Sequence, residues 1–409
     1  MSGKTIAFDG KGQPGNLLDP KNWAGGVVPG IGDTALITTN IGGPFAGTFS
    51  TNNMMLLGSE KIVFEGTLDT AGVGACKGLM VCDGATAVFT PGAVLNDGNV
   101  MIVGNNAVGT LLAQGTGTTH SVLNTVDGNI GKQAAGVGTV CIDDAIWNNS
   151  GHVVVGDSGN GTLNIMDGGK VTVGGNFDVG AHTGATGLIS VGAGSVAVGG
   201  ALNIGGAAAT AGSGTFDVGA GGAVTVGGNL GIGATGQLNL AGGSVTDTVG
   251  STGQIGIWSG ATVSGFGSIT AANGTNIDDQ GVIRASGGTL AINGMICGSG
   301  TIEIGANSTA AINSNSLKLA GGISFIGANA DLTLTHGLAV NGPISGFAIG
   351  DILSMASVDA VSFNAANGIL TLSEHHAFVE NLHFTGTFAG DMFTIHQQNG
   401  MGMIGLTHG

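Results

Sequence analysis

A glycine-punctuated repeat between Gly161 and Ile232 constrains the fold of this chain more than any other feature. Three stretches align: GTLNIMDGGKVTVGGNFDVG from Gly161, GLISVGAGSVAVGGALNIGG from Gly187 and GTFDVGAGGAVTVGGNLGIG from Gly214. Their apolar pairs fall in columns. Leu163 and Ile165 match Ile189 and Val191, then Phe216 and Val218. Val171 and Val173 match Val196 and Val198, then Val224 and Val226; Phe177 and Val179 match Leu202 and Ile204, then Leu230 and Ile232. Small or polar residues such as Asn164, Ser190 and Asp217 separate them. Such alternation marks strands with one buried face, and a period in this range marks a solenoid. The expected class is all-β, a parallel β-helix (β-solenoid) with three faces per coil. Right-handed coiling follows from the usual crossover preference.

The punctuation fits this reading. Asp167-Gly168-Gly169, Gly174-Gly175-Asn176 and Gly227-Gly228-Asn229 sit between strands, and Gly and Asn tolerate the positive φ that a sharp corner needs. The third turn varies in length, short at Gly233–Gly236 and longer at Gly205–Gly214, so insertions are expected at one corner only. A lone coil buries too few side chains to offset its backbone entropy. Many coils must therefore stack, with a cap at each end. The regular columns predict coils over residues 61–345, between an N-terminal capping region, 1–60, and a β-rich C-terminal cap, 346–409. Trp23, Pro29 and Asp33 read as parts of the first, capping coil. After Gly346 glycine thins, and longer alternating strands replace the columns.

Composition narrows the class. The chain holds 84 glycines in 409 residues, about three times the usual share, without the G-X-Y period of collagen. No apolar run reaches the ~18 residues of a membrane helix, so no transmembrane segment is expected. The strands are too short for an outer-membrane barrel, whose strands need ~9–11 residues and aromatic girdles; Tyr is absent and only three Trp occur. Nine Lys and Arg against 25 Asp and Glu give a net charge of −16, which excludes a nucleic-acid partner. The acidity reads first as solubility and mutual repulsion. Calcium held between molecules is the one cofactor it leaves open.

Candidate chemistry is sparse. Asp143-Asp144 and Asp278-Asp279 are the best paired carboxylates, and both pairs read as turn residues. Trp147, near a corner, is expected at the edge of the core, with an exposed sugar-binding anchor as the alternative. His375, His376, His383, His396 and His408 cluster late without metal-ligand spacing; the adjacent His375 and His376, on a strand, point to opposite faces. Cys76 and Cys82 are close enough in sequence to bridge, Cys141 falls in the outward column, and Cys297 stands apart. No catalytic or cofactor-binding residue is assigned, and the metal question stays open.

The GTLNI, GGKVTVGGN and FDVG units and the opening NWAGGVVPGIGDTALI resemble the glycine-rich passenger repeats of bacterial autotransporters and haemagglutinin-type surface proteins. That resemblance implies an extracellular or cell-surface β-helix with an adhesive or scaffold role. It also implies partners among copies of itself, in filaments joined end to end, and among surface or matrix glycans. The start MSGKTIAFDG lacks an apolar leader core, so export would use another route or the chain is a mature form; residues 346–409 suit an uncleaved C-terminal signal. A β-helix polysaccharide lyase or hydrolase is the alternative function, with Asp143, Asp144, Asp278 and Asp279 as its acids.

Overall fold

The computed structural model describes residues 3–71, 78–206, 212–248, 254–272, 275–314, 316–335, 338–388 and 390–409. Among them the chain is all-β, a β-solenoid of about 12 turns built from stacked parallel strands. Its one helical element is a 3-10 turn, Pro20–Asn22. The chain divides into two compact units, Met1–Gly227 and Gly228–Gly409.

In the first unit the sequence columns are the hydrogen-bonded register. Asn160–Met166 pairs in parallel with Thr186–Val191, placing Leu163 beside Ile189 and Ile165 beside Val191. Thr186–Val191 pairs in turn with Ser213–Gly219, which sets Ile189 beside Phe216. Lys170–Val173, Ser195–Val198 and Ala223–Val226 form the second ladder, and Phe177–Val179 with Leu202–Ile204 begins the third. The inward residues of all three ladders are essentially inaccessible to solvent. Parallel stacking already occurs within residues 1–60, where Thr5–Ala7, Thr34–Ile37 and Asn53–Leu56 pair in succession.

The glycine that opens each repeat has a packing reason. Gly161, Gly187 and Gly214 lie inside strands. A Cβ on any of them would press into the backbone of a second glycine, Gly156, Gly180 or Gly205 respectively. Those partners sit at corners with φ between 64° and 74°, a conformation glycine adopts without Cβ strain. Two columns of glycine thus interlock where one coil bends against the next.

The N-terminal loop closes the core of the first unit. Trp23 is buried, stacks on Phe49 with ring centroids 5.7 Å apart, and donates its indole N–H to Leu17 O at 2.8 Å. Pro29 is buried nearby in sequence. Asp33 accepts from the backbone N–H groups of Lys4 and Gly30, which hold its carboxyl below the usual range.

The second unit has parallel ladders of its own, from Leu230–Ile232 through Ile255–Ile257 to Asn276–Asp279. Insertions are not confined to one corner, contrary to the sequence expectation. Gly265 and Gly267 align with Ala285 and Leu290, so the later coil carries extra residues there. In the first unit a bulge falls between Thr125 and Asp127. The ladders on either side of these insertions keep their register. The longer turn Gly205–Gly214 includes residues 207–211, which lie outside the described residues.

Pairing changes sign near the C-terminus. Ile352–Ala356 pairs in parallel with Asp331–Leu334 on one side and antiparallel with Met401–His408 on the other. From Ala360 on, the hairpins Ala360–Asn364 with Ile369–Glu374, and Asp391–Gln398 with Met401–His408, are antiparallel. A phenylalanine cluster packs here, with Phe347 stacked on Phe393 and edge-on to Phe384.

Candidate functional site

The most developed surface feature lies in the first unit, on the face made by Thr48–Thr51, Thr67–Thr70, Val94–Val103, Val122–Ile130 and Ile146–Asn149. These segments pair in parallel, so every second side chain points outward and neighbours stand one strand spacing apart, about 4.8 Å. The outward residues are Ser50, Asp69, Asn96, Asn124 and Asn148. Asn148 Nδ2 donates to Asn124 Oδ1 at 3.0 Å, Asn124 Nδ2 to Asn96 Oδ1 at 2.9 Å, and Asn96 Nδ2 to Asp69 Oδ1 at 2.8 Å. Ser50 Oγ donates to Asp69 Oδ2 at 3.1 Å from the opposite side. The ladder is therefore directional and ends on the Asp69 carboxylate.

A second, buried polar column runs beside it: Thr51, Thr70, Asp97, Thr125 and Asn149, each under 5 % exposed. In the next coils the same register holds Val173, Val198 and Val226. Asp97 Oδ2 accepts from Leu79 N and its Oδ1 from Asn99 N. Burial still raises its pKa, against the lowering effect of those bonds. Trp147 Nε1 and Asn149 Nδ2 both donate to Thr125 Oγ1, at 2.9 and 2.8 Å. The two columns border a groove of about 740 Å³, with Ile31 and Val126 as apolar rim residues and no Lys, Arg or His in its lining. The repeat from Gly161 gives no hint of this groove. The polar residues at inward positions of VLNDG and VLNTV were the available signal.

The sequence-level carboxylate pairs do not converge. Asp143 ends the strand Val137–Asp143 opposite Met166, and only Asp144 is a turn residue, with φ 48°. Burial, then Asp167 and Asp144, raise the Asp143 pKa. Asp144 is occupied by the Gly117 N–H and by His120 Nδ1, 3.3 Å from its Oδ1. Asp278 and Asp279 are not turn residues; they belong to the strand Asn276–Asp279 and so face opposite ways. Asp278 points outward and accepts from Gln254 and Gln280. Asp279 is fully buried, accepts from Gly281 N at 3.0 Å, and burial pushes its pKa up to about 7. The signal for it lay in the alternation, because Ile277 faces inward and Asp279 follows two residues later. Asp351 is also buried and is held by the Ala330 and Ala348 N–H groups at 2.9 Å each. Asp279 and Asp351 thus tie down neighbouring backbone N–H groups.

Trp147 is fully buried and is no exposed anchor. His375 and His376 are not strand residues. Both have positive φ, 47° and 70°, and form the turn between Ile369–Glu374 and Ala377–Thr385. His408 lies 3.0 Å from Asp391 Oδ1, whereas His383 and His396 are exposed on separate strands. Among the described residues no three His, Cys, Asp or Glu side chains gather as a metal site. Cys82 is a free, buried thiol whose pKa burial raises to about 11; Cys76 lies outside the described residues. Cys141 pairs with the outward Asn164, and Cys297 with Asp278.

A smaller aromatic pocket of about 480 Å³ lies at Phe363, His383, Phe384 and Phe388 in the second unit. No helix among the described residues is long and apolar enough to cross a membrane. No protein-family model matches this chain, and no curated protein matches it.

Proposed function

We propose that this chain is a non-enzymatic structural or adhesive protein of the bacterial cell surface or extracellular matrix, as its repeats' resemblance to glycine-rich β-helix surface proteins implies. The observation that carries this reading is the state of its outward polar groups. The paired carboxylates diverge or are engaged by neighbouring donors, while the amides of Asn96, Asn124 and Asn148 form an unbroken displayed ladder. A catalytic acid or base needs a free carboxyl facing bound substrate; display needs only a rigid, repeated surface. Self-association belongs to the same proposal. Ala360–Asn364 and Asp391–Gln398 each pair with only one neighbouring strand among the described residues, and such edges are templates for another chain.

The polysaccharide-active alternative draws support from one feature. Asp69 and Asp97 occupy adjacent coils of the same groove. Each is already held, Asp69 by two side-chain donors and Asp97 by two backbone N–H groups, which favours the non-catalytic reading. Immunogold electron microscopy of producing cells tests location and assembly together. Labelled surface or matrix material supports the proposal; label confined to the cytoplasm overturns it.

A further inference from the structure

We infer that the groove of the first unit is a binding site for a neutral, extended oligosaccharide lying along the stacking direction, about one sugar ring per coil. This rests on the adhesive reading above and names its ligand. The outward ladder repeats at about the strand spacing of 4.8 Å, close to the length of one pyranose unit. After the ladder bonds, each amide of Asn96, Asn124 and Asn148 keeps one N–H and at least one acceptor lone pair for a ligand. Hydroxyl groups donate and accept, so a polyhydroxylated chain meets this surface in either sense. Ile31 and Val126, 70 % and 40 % exposed, offer apolar contact to the C–H faces of sugar rings. Asn149, in the groove lining, is 2 % exposed and its buried Oδ1 has no hydrogen-bond partner.

Other ligand classes fit worse. A peptide strand needs a free backbone edge, and the central strands here are paired on both sides. A nucleic acid or a uronic-acid chain would meet Asp69 and Asp97 with no cation in the lining. The chemistry also recurs in the second unit. There Asn313 Nδ2 donates to Asn293 Oδ1 at 2.8 Å and Asn293 Nδ2 to Thr270 Oγ1 at 2.9 Å, beside a groove of about 760 Å³.

The test is calorimetric titration of the full chain with neutral gluco-, manno-, galacto- and xylo-oligosaccharides of increasing length, and with an oligogalacturonide as the charged control. At least one neutral series should bind, with affinity rising until about five rings span the rungs from Ser50 to Asn148 and then levelling. Asn96→Leu and Asn124→Leu should each weaken binding roughly tenfold. Asn203→Leu, on a different face, should leave it unchanged, with circular dichroism confirming that all three variants fold. Glycan binding untouched by the ladder variants overturns the site and leaves the adhesive reading standing. A preference for the oligogalacturonide overturns the ligand class. A wild-type dimer that Asn124→Leu dissolves reassigns the face to contact between copies and overturns the inference. Binding to no neutral series overturns the site, whereas the surface reading fails separately, by label confined to the cytoplasm.

Discussion

Gly300 leaves the space that the Asp279 carboxyl fills: a Cβ on Gly300 would lie 2.5 Å from Asp279 Oδ1. The carboxyl is sealed in the interior, and only its Oδ1 has a partner, the Gly281 N–H. This buried acid sets a pH response. Its folded pKa, raised to about 7, exceeds the unfolded value of about 3.9. Between those values the folded state holds a proton that the unfolded state has lost. Stability from this group is therefore full below about pH 4, falls as pH rises to about 7, and is level above. Urea midpoints measured from pH 4 to pH 8 should decline across that window. Asp279→Asn should flatten the decline and raise the midpoint at pH 8.

The interlocking glycine columns predict a severe and local substitution effect. Gly187→Ala drives a methyl into the backbone at Gly180 and Val155, and overpacking of that kind costs about 1–3 kcal/mol, at the upper end where rigid backbone is the obstacle. Gly32, with open space around its missing Cβ, should accept alanine with a change within about 0.5 kcal/mol. Thermal unfolding of the two variants gives the comparison.

Thr125 serves two buried donors, the Trp147 indole and the Asn149 amide. Thr125→Val keeps the shape and strands both, at about 1–3 kcal/mol for each. Thr125→Ser retains the hydroxyl and should lose less. Denaturant unfolding followed by tryptophan fluorescence distinguishes the two outcomes.

The C-terminal aromatic cluster should matter to the second unit. Phe393 touches the rings of Phe347, Phe363, Phe384 and Phe388 but is only half-buried. Phe393→Ala should therefore cost less than the ~3–5 kcal/mol of a full core deletion. It should also increase binding of a hydrophobic dye as neighbouring rings become exposed.

Much of the fold was legible because a strand has a period of two. Once Leu163 and Ile165 aligned with Ile189 and Val191, inward and outward positions followed, and the ladders obey that register. What the alternation hid was polar residues at inward positions. Asp97 and Asp279 look like turn residues, because glycine follows each within two residues, yet Asp97 lies inside the strand Val94–Val103 and Asp279 ends Asn276–Asp279, both on the buried face. The groove escaped for a related reason: it lies where Thr51, Thr70, Asp97, Thr125 and Asn149 replace the valines of the regular repeat. His375-His376 was missed because histidine carries no strong turn signal; hairpin geometry imposes positive φ there.

The central claim is that this solenoid displays polar surface without performing chemistry on it. Mass spectrometry of neutral and acidic polysaccharides after prolonged incubation with the purified protein tests that most directly. The account predicts no new reducing ends and no unsaturated products. Released oligosaccharides that vanish in a folded Asp69→Asn or Asp278→Asn variant would contradict it.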